Sequence, residues 1–323
     1  MIFFLSFFLP FFFRDVRIKM NKREKLLTII ACNTDSLLKK KALLHNLPFF
    51  AEKSDYIIII NSSEYRFSKD DMNRMVTDSK GSKMKFIHVP NDKYLCHGKW
   101  ICALQNTDIS NFENVILTND SFIFRHSPSE FYNRIDTDTE LVALLDSYEI
   151  KYHYPDFLRC YNKEGLQKVI QYYYTNKSKI SDFQSVVDLY EVGSTDVFQS
   201  DKVKIAYKQE CARPINIHFI DPFTFDYLTN KDYPVIKIKK VLFSLENPSH
   251  LPFNFSASLY QRMYSDLQGN ILDENELKAH FLNVGVSEKR PYTPFLETIN
   301  VDVYLHGMLR EMQLLPPLMD LQI

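Results

Sequence analysis

Glycine is scarce in this sequence, and its scarcity argues against the commonest phosphate-binding motifs. Only 7 of the 323 residues are glycine. Neither the GxGxxG fingerprint of dinucleotide-binding proteins nor the GxxxxGK(S/T) phosphate loop is present. Both motifs use glycine because the backbone must approach a phosphate group closely. A glycine-rich phosphate loop is therefore not expected.

Cysteine is also sparse, and its pattern matches no familiar framework. The five cysteines are Cys32, Cys96, Cys102, Cys160 and Cys211. Their number is odd, they are widely scattered, and no CxxC pair occurs. This pattern argues against a disulfide framework and against a zinc site. We expect a reducing environment, and hence a cytoplasmic protein, with peripheral membrane association as the alternative.

The chain lacks an excess of charge of either sign. With 39 basic and 40 acidic residues, its formal net charge is −1. No general positive field therefore favours nucleic acid, which we do not expect as a partner. Hydrophobic residues make up 45% and charged residues 24%, values typical of a globular protein.

The first 13 residues, MIFFLSFFLPFFF, form a conspicuous apolar stretch. A transmembrane helix needs about 20 apolar residues, and a signal peptide needs a basic leading region, so neither interpretation fits. Two interpretations remain: a weak membrane-associating segment, or a product of upstream translation with the true start at Met20. We favour the second and do not expect membrane association.

Short apolar runs alternate with helical patterns through the first half of the chain. The runs that predict strands are residues 26–32, 56–60, 84–89, 115–117 and 141–145. Asp35 or Ser36 is expected to cap the first helix, whose leucines recur at helical spacing. Continuous apolar strands alternating with helices predict an α/β fold, with a mostly parallel sheet covered by helices.

Beyond residue 150 the pattern is mixed. We predict strands at 157–161, 203–207 and 235–240, and helices at 163–174, 186–197 and 223–228. Two prolines in residues 245–252 indicate a linker. The predicted organisation is an N-terminal extension (1–25), a main domain (26–244), and a small helical C-terminal module with its tail (255–323).

Asn119, Asp120 and Ser121 end the fourth predicted strand abruptly. Open α/β sheets bind ligands at the carboxyl ends of their strands, so this polar triplet is a candidate site. The alternative is a turn in which these side chains cap their own backbone. Spacing alone favours the turn.

Five segments in order along the chain carry a family resemblance. They are residues 91–101 (NDKYLCHGKWI), 115–122 (VILTNDSF), 145–158 (LDSYEIKYHYPDFL), 189–194 (LYEVGS) and 233–237 (YPVIK). Together they resemble motifs of the rhamnan synthesis protein F family of glycosyltransferases. Residues 259–292 resemble a small helical module that accompanies glycosyltransferases. Two departures from the family pattern stand out: Cys96 replaces an aspartate, and Pro155-Asp156 replaces Gln-Ser.

The resemblance implies a GT-A-like, Rossmann-like fold that transfers rhamnose or a related deoxyhexose. The sugar would pass from a nucleoside diphosphate donor to a glycan acceptor, in polysaccharide biosynthesis. GT-A enzymes typically hold a divalent cation at an acidic triplet after a central strand, which here implies Asp120 as a ligand of Mg²⁺ or Mn²⁺. Asn119 and Ser121 would assist, since hard cations prefer oxygen ligands.

Glu191 is the predicted general base of an inverting transferase, because the fourth motif resembles the place where related enzymes carry theirs. The alternative is a solvated helix glutamate. His153 and Asp146 are further catalytic candidates, and each could equally be an ordinary loop or capping residue.

Lys99, Trp100 and Lys237 are the predicted donor-binding residues. Lysine can neutralise a departing phosphate, although Lys237 could instead lie on the solvated face of an edge strand. Trp100 could pack near the donor's base or be a core residue. A non-catalytic scaffold or glycan-binding protein with the same fold is the alternative function.

Overall fold

A computed structural model describes residues 24–79, 81–209, 214–219, 221–241, 255–269, 272–285, 288, 290 and 308–314. The N-terminal apolar stretch and the predicted linker at 245–252 lie outside these residues, as does most of the C-terminal tail. Among the helices described, none is long and apolar enough to cross a membrane.

A seven-stranded sheet forms the centre of the molecule. Its strands are β1 (Glu24–Cys32), β2 (Tyr56–Ser62), β3 (Lys83–Val89), β4 (Phe112–Asn119), β6 (Leu141–Leu145), β7 (Leu158–Asn162) and β8 (Val203–Tyr207). They lie in the order β3-β2-β1-β4-β7-β6-β8, with β7 antiparallel to both its neighbours and the other pairings parallel. The predicted α/β class and mostly parallel sheet are confirmed.

The sheet is covered on both faces because its central strands are apolar along their whole length. In β2, Ile57 and Ile59 join one hydrophobic cluster, whereas Ile58 and Ile60 join the other. Side chains alternate between the faces of a strand, so each cluster marks one face. Such continuous burial is expected of parallel strands.

Helices α1 (Leu37–Ala51), α2 (Lys69–Asp78), α3 (Leu95–Gln105) and α5 (Lys163–Asn176) connect these strands, with a short α4 (Ser129–Tyr132). Helix α1 contributes to the first cluster, whereas α3 and α5 contribute to the second. Ser36 is the N-cap of α1, since its side chain accepts a hydrogen bond from the backbone N–H of Lys39. The predicted cap is confirmed.

A small second sheet pairs β5 (Phe122–Phe124) with β9 (Val235–Lys237) in antiparallel fashion, and α7 (Asp221–Thr229) precedes β9. The predicted strand over 235–240 is too long, because residues 238–241 are helical. This helical turn buries the side chains of Ile238, Lys240 and Val241.

The predicted helix over 186–197 is also wrong in its detail. This segment consists of a short α6 (Phe183–Val186), a π-helix (Val187–Val192) and a 3₁₀-helix (Gly193–Val197). The change of winding lets Tyr190, Val192 and Ser194 all be buried, which a single amphipathic stripe does not allow. π-helical turns are frequent at functional sites.

The C-terminal region is helical where it is described, as predicted. It contains Ala257–Met263, Ser265–Gln268 and Glu274–His280, then a π-helical turn at Phe281–Gly285. Its buried residues form a cluster of their own, centred on Tyr260 and Phe281. Leu309 and Leu314, by contrast, belong to the first cluster of the main sheet.

Candidate functional site

The candidate site lies at the edge of the sheet where the parallel strands end. The carboxyl ends of β1, β4 and β6 meet the amino end of β7 there, because β7 runs antiparallel. Residues that are distant in sequence therefore come together on one edge, as expected for ligand sites in open α/β sheets.

The polar triplet forms a turn and also contacts a distant strand. The side-chain oxygen of Asn119 accepts hydrogen bonds from the backbone N–H (3.1 Å) and the hydroxyl (2.6 Å) of Ser121. The ammonium of Lys237 donates to the Ser121 hydroxyl at 2.8 Å. The pairing of Phe122 with Lys237 across β5 and β9 makes this contact possible. The turn interpretation thus holds for Asn119, and the triplet is nevertheless joined to a predicted donor-binding lysine.

Asp120 is buried and points towards the end of β1. Its Oδ2 atom accepts a hydrogen bond from the backbone N–H of Asn33 at 2.7 Å. Burial raises the pKa of Asp120, while Lys39 and Lys99 oppose that rise by their positive charge. One carboxylate oxygen is therefore committed to the protein backbone, and the surrounding charge is positive.

Glu191 lies on the π-helical turn and lines a pocket together with His153 and Lys237. It is half-buried, and its carboxylate accepts a hydrogen bond from the backbone N–H of Asp156. Burial raises the pKa of Glu191 to about 8, and the Asp156 carboxylate adds to the rise. A carboxyl group of this kind is mostly protonated at pH 7 and becomes a proton acceptor as the pH rises towards 8.

Lys237, the last residue of β9, lines the same pocket as Glu191. Its ammonium lies 3.9 Å from the ring centroid of Phe157. Burial lowers the pKa of Lys237 to about 8, and the carboxylates of Asp156 and Glu191 oppose the change. The pair of Glu191 and Lys237 therefore combines an acid and a base with unusual proton affinities in one place.

The pocket has a volume of about 60 Å³. Its lining residues are Leu145, Ser147, Glu149, His153, Pro155, Phe157, Glu191, Gln209, Asn216, Ile217, His218 and Lys237. They come from the end of β6, the segment between β6 and β7, the π-helical turn, the segments between β8 and α7, and β9. Three of the residues predicted from the sequence thus share one pocket.

His153 is buried and fixed by its own loop. It forms an isolated bridge with Ser147, and its Nδ1 atom lies 2.8 Å from the carbonyl oxygen of Lys151. Since a carbonyl only accepts, the contact assigns the proton to Nδ1 and leaves Nε2 as an acceptor. Burial lowers the pKa of His153, so the ring is neutral at pH 7.

Asp146 directly follows β6 and does not line the pocket. Its side chain is fully buried, and Oδ1 accepts a hydrogen bond from the backbone N–H of Gln209 at 2.7 Å. Gln209 in turn donates to the Asp146 carbonyl. Within the described part of the chain, Oδ2 has no hydrogen-bond partner. Asp146 therefore holds a pocket-lining residue in place, and burial raises its pKa.

Lys99 and Trp100 have different surroundings despite being neighbours. Trp100 is 1% exposed, and its Nε1 atom donates to the Thr118 carbonyl at 2.8 Å. These contacts favour the interpretation of Trp100 as a core residue. Lys99 instead points to the sheet edge and donates to the side chain of Asn91 at 2.9 Å.

Sequence reasoning missed a polar network at the ends of β1, β2 and β3. The hydroxyl of Ser62 donates to the side-chain oxygen of Asn33 at 2.9 Å, and it also contacts Asn91. Lys99 extends this network through Asn91. The signal was available, since an apolar run ends in a polar side chain at each of these positions.

Arg159 was also missed, and it positions the loop that carries Glu191. Its buried guanidinium donates to the backbone carbonyl of Glu191 and to the Ser194 hydroxyl, both at 2.9 Å. The same group contacts the carbonyls of Tyr154 and Pro155. No sequence signal marked it, because a lone arginine inside an apolar strand belongs to no motif.

His218 is a further pocket residue that the sequence did not reveal. It is 8% exposed and packs against Phe157 and Tyr233. Its Nε2 atom has no hydrogen-bond partner among the residues described. Burial and the nearby charge of Lys237 hold its pKa well below the usual range, so the ring is neutral.

Comparisons with known proteins complete this description. No family profile matches the chain. The virulence protein VirA of Vibrio anguillarum is 24% identical over 195 residues, which cover 55% of this chain and 59% of VirA. The chain therefore spans less than two thirds of the length of this curated relative. These findings do not confirm the resemblance to the rhamnan synthesis protein F family, which stays a prediction.

Two solved structures are similar at low identity. One is a mannosyltransferase from Pyrobaculum calidifontis in complex with GDP-Man and Mn²⁺, with 10% identity and a TM-score of 0.38 over 92% of this chain and 82% of that chain. The other is the glycosyltransferase GlyE of Streptococcus pneumoniae TIGR4 in its apo form, with 10% identity and a TM-score of 0.39 over 81% and 64%. Because both TM-scores are below 0.5, no functional conclusion rests on them.

Proposed function

We propose that this protein is a glycosyltransferase that uses a nucleoside diphosphate sugar. One observation carries the proposal: Glu191, His153 and Lys237 line a single pocket at the carboxyl edge of the sheet. Glycosyl transfer to a hydroxyl needs a proton acceptor and positive charge near the leaving diphosphate, which Glu191 and Lys237 would supply. The five family-like segments support the same activity.

Glu191 is the proposed general base. An acceptor hydroxyl in the pocket would lose its proton to the Glu191 carboxylate while its oxygen attacks the sugar carbon, which inverts that centre. The raised pKa of Glu191 suits this task, because a base works best when its pKa lies near the working pH. His153 would orient the acceptor by accepting a hydrogen bond at Nε2.

The departing diphosphate would be stabilised from the cationic side of the site. Lys237 reaches the Ser121 hydroxyl, and Lys99 lies among the polar ends of the first strands. Two lysines there supply positive charge where negative charge develops. Asn33, Ser62 and Asn91 would contact the nucleoside, since their side chains already form one network.

A divalent cation could be bound at Asp120, although the triplet offers it only one carboxylate. Mg²⁺ is commonly bound by one or two carboxylates together with substrate phosphates, and Asp120 offers one carboxylate. Its Oδ2 atom accepts the Asn33 N–H, and Oδ1 is the oxygen proposed to contact the cation. Mg²⁺ or Mn²⁺ held there with the donor's phosphates would neutralise the leaving group. Rhamnose or a related deoxyhexose is the proposed sugar and a glycan the proposed acceptor, in a cytoplasmic setting.

The test is nucleotide release by the full chain from a panel of dTDP-, UDP- and GDP-linked sugars, dTDP-rhamnose included, with and without Mn²⁺. We expect one donor to be turned over and Glu191→Gln to lower kcat by about 10²- to 10⁴-fold, the usual worth of a general base. Glu164→Gln is the matched control, because Glu164 is an exposed glutamate at the start of α5. It should retain full activity.

Three results would contradict the proposal in different ways. Donor binding by calorimetry without any turnover would favour the non-catalytic alternative, a scaffold or glycan-binding protein. The absence of both binding and turnover across the panel would remove nucleotide sugars from consideration. Equal activity of the Glu191→Gln and wild-type proteins would keep the enzyme but refute the assigned base.

A further inference from the structure

Three side chains beside the pocket form a compact group of metal-ligating type. Cys96 and His97 lie in the first turn of α3, and Asp156 lies just before β7. The Cys96 sulfur is 3.6 Å from Asp156 Oδ2, and His97 Nε2 is 3.2 Å from the same oxygen. One ligand atom from each residue lies within 4.8 Å of the others. In the described part of the chain, this is the one such group.

His97 points its Nε2 atom at this group from a fixed position. The ring is 1% exposed and is packed among Trp100, Tyr173 and Tyr190, with ring centroids 4.9 to 5.2 Å away. Although Asp156 is close, the direction of approach does not make a hydrogen bond, and Nε2 has no partner among the residues described. A buried polar atom without a partner is costly and calls for an explanation.

We propose that Cys96, His97 and Asp156 bind one Zn²⁺ ion, with water completing a tetrahedral site. Thiolate, imidazole and carboxylate are all established zinc ligands, at about 2.0 to 2.3 Å from the metal. In a tetrahedron of that size, neighbouring ligand atoms are about 3.3 to 3.6 Å apart. The separations of 3.2 and 3.6 Å are close to this range.

The sulfur ligand distinguishes this site from the proposed cation site at Asp120. A hard cation such as Mg²⁺ prefers oxygen ligands, whereas a thiolate selects zinc or a softer metal. The absence of a CxxC pair argued against zinc, but that motif only detects ligands close in sequence. Here the third ligand follows the other two only after β4, β5 and β6, and the fold brings the three side chains together.

The two departures from the family pattern meet at this position. Cys96 replaces an aspartate and Asp156 replaces a serine, and their side chains are in contact. The paired change retains one carboxylate and introduces a sulfur ligand beside it. Arg159 and Lys237 also face Asp156. Arg159 donates hydrogen bonds to Ser194 and to the Glu191 carbonyl, and Lys237 donates to Ser121.

The test uses Co²⁺ as a spectroscopic substitute for Zn²⁺ in the full chain, kept reduced and first freed of metal with a chelator. We expect one Co²⁺ per chain, with a thiolate charge-transfer band and the intense visible bands of tetrahedral cobalt, both abolished by Zn²⁺. Cys96→Ser should remove the charge-transfer band, and Asp156→Asn should weaken binding by at least the 10- to 100-fold that loss of a supporting partner costs. Cys102→Ser, in the same helix, is the matched control and should leave the spectrum unchanged.

A second measurement avoids any dependence on variants. Alkylation of the wild-type protein, followed by mass spectrometry, should show Zn²⁺ slowing modification of Cys96 more than tenfold while Cys102 reacts at its former rate. Equal protection of both cysteines, or no cobalt spectrum at all, would identify the group as a hydrogen-bonded cluster without metal. Neither measurement uses a nucleotide sugar, so the zinc site is tested independently of the transferase activity.

Discussion

At the scale of single residues, the surroundings of Glu191 set its chemistry. The Asp156 carboxylate and burial both favour the protonated form of Glu191, while Lys237 and Arg159 favour the ionised form. The outcome is a pKa of about 8, well above the 4.5 of an ordinary glutamate. A solvated glutamate on a regular helix, the alternative interpretation, would have no such shift.

This shift predicts how stability depends on pH. Between about pH 4.5 and 8, folded Glu191 stays protonated while the unfolded chain loses the proton. At Glu191 the folded state then binds more protons, so the contribution of this group to the free energy of unfolding falls as pH rises through this window. The buried His153 and His218 have lowered pKa values and contribute in the opposite direction below about pH 6.5. Glu191→Gln should remove the Glu191 contribution, so its stability should fall less with rising pH than that of the wild type. Urea denaturation at several pH values, in EDTA to exclude metal, measures it.

A slope that is unchanged in Glu191→Gln would show that another group is responsible. If Glu191 is the base, the pH dependence of turnover has the opposite sign to that of stability. The rate should rise with pH and level off near pH 8, because only the ionised carboxylate accepts a proton.

At the scale of elements, the first turn of α5 packs closely against the residue that precedes β6. Gly165 lies in the first turn, where the Asn162 side chain accepts a hydrogen bond from its backbone N–H. A Cβ atom on Gly165 would lie 1.9 Å from the carbonyl oxygen of Glu140, a backbone atom that cannot easily move. This glycine is therefore required by close packing of a helix against a loop.

Gly165→Ala is expected to lower the free energy of unfolding by roughly 1–3 kcal/mol or more, because overpacking forces the backbone to shift. Chemical denaturation measures the change. Gly269→Ala is the matched control: no described atom lies within 4 Å of its added Cβ, and its φ of −84° suits alanine. It should change stability by less than about 1 kcal/mol. A similar loss at both glycines would refute the steric explanation.

At the scale of the whole molecule, the described C-terminal residues contribute to two different hydrophobic clusters. Phe281 belongs to the small cluster of the helical region, whereas Leu309 is fully buried in the cluster on the main sheet. The predicted division into a main domain and a C-terminal module stays a prediction. Part of the predicted tail packs on the main domain.

Leu309→Ala should destabilise the main domain by about 2–5 kcal/mol, as buried leucine truncations do. The only tryptophan, Trp100, is buried in the main domain and reports its unfolding by fluorescence. Phe281→Ala is the comparison: it should disturb the small helical cluster and leave the Trp100 transition unchanged. An equal shift of that transition by both variants would mean that the two regions unfold as one unit.

Much of the fold could be predicted from the sequence, because local residue patterns specify its strands and helix starts. Continuous isoleucine and leucine runs predict buried strands, and Ser36 before a leucine pattern predicts the start of α1. The failures occurred where tertiary packing overrides local preference. The π-helical turn that carries Glu191 and the helical turn after Lys237 both bury side chains that a regular element would expose.

The sequence by itself determined the α/β class and the polar triplet after β4, and it named Glu191, His153 and Lys237 as candidate site residues. Each depends on residue type and on neighbours along the chain. The tertiary structure alone decided that these three share a pocket with His218, that Arg159 holds the turn that carries Glu191, and that Cys96, His97 and Asp156 meet. Such contacts depend on the antiparallel placement of β7 and on the β5–β9 pairing, which no short-range pattern encodes.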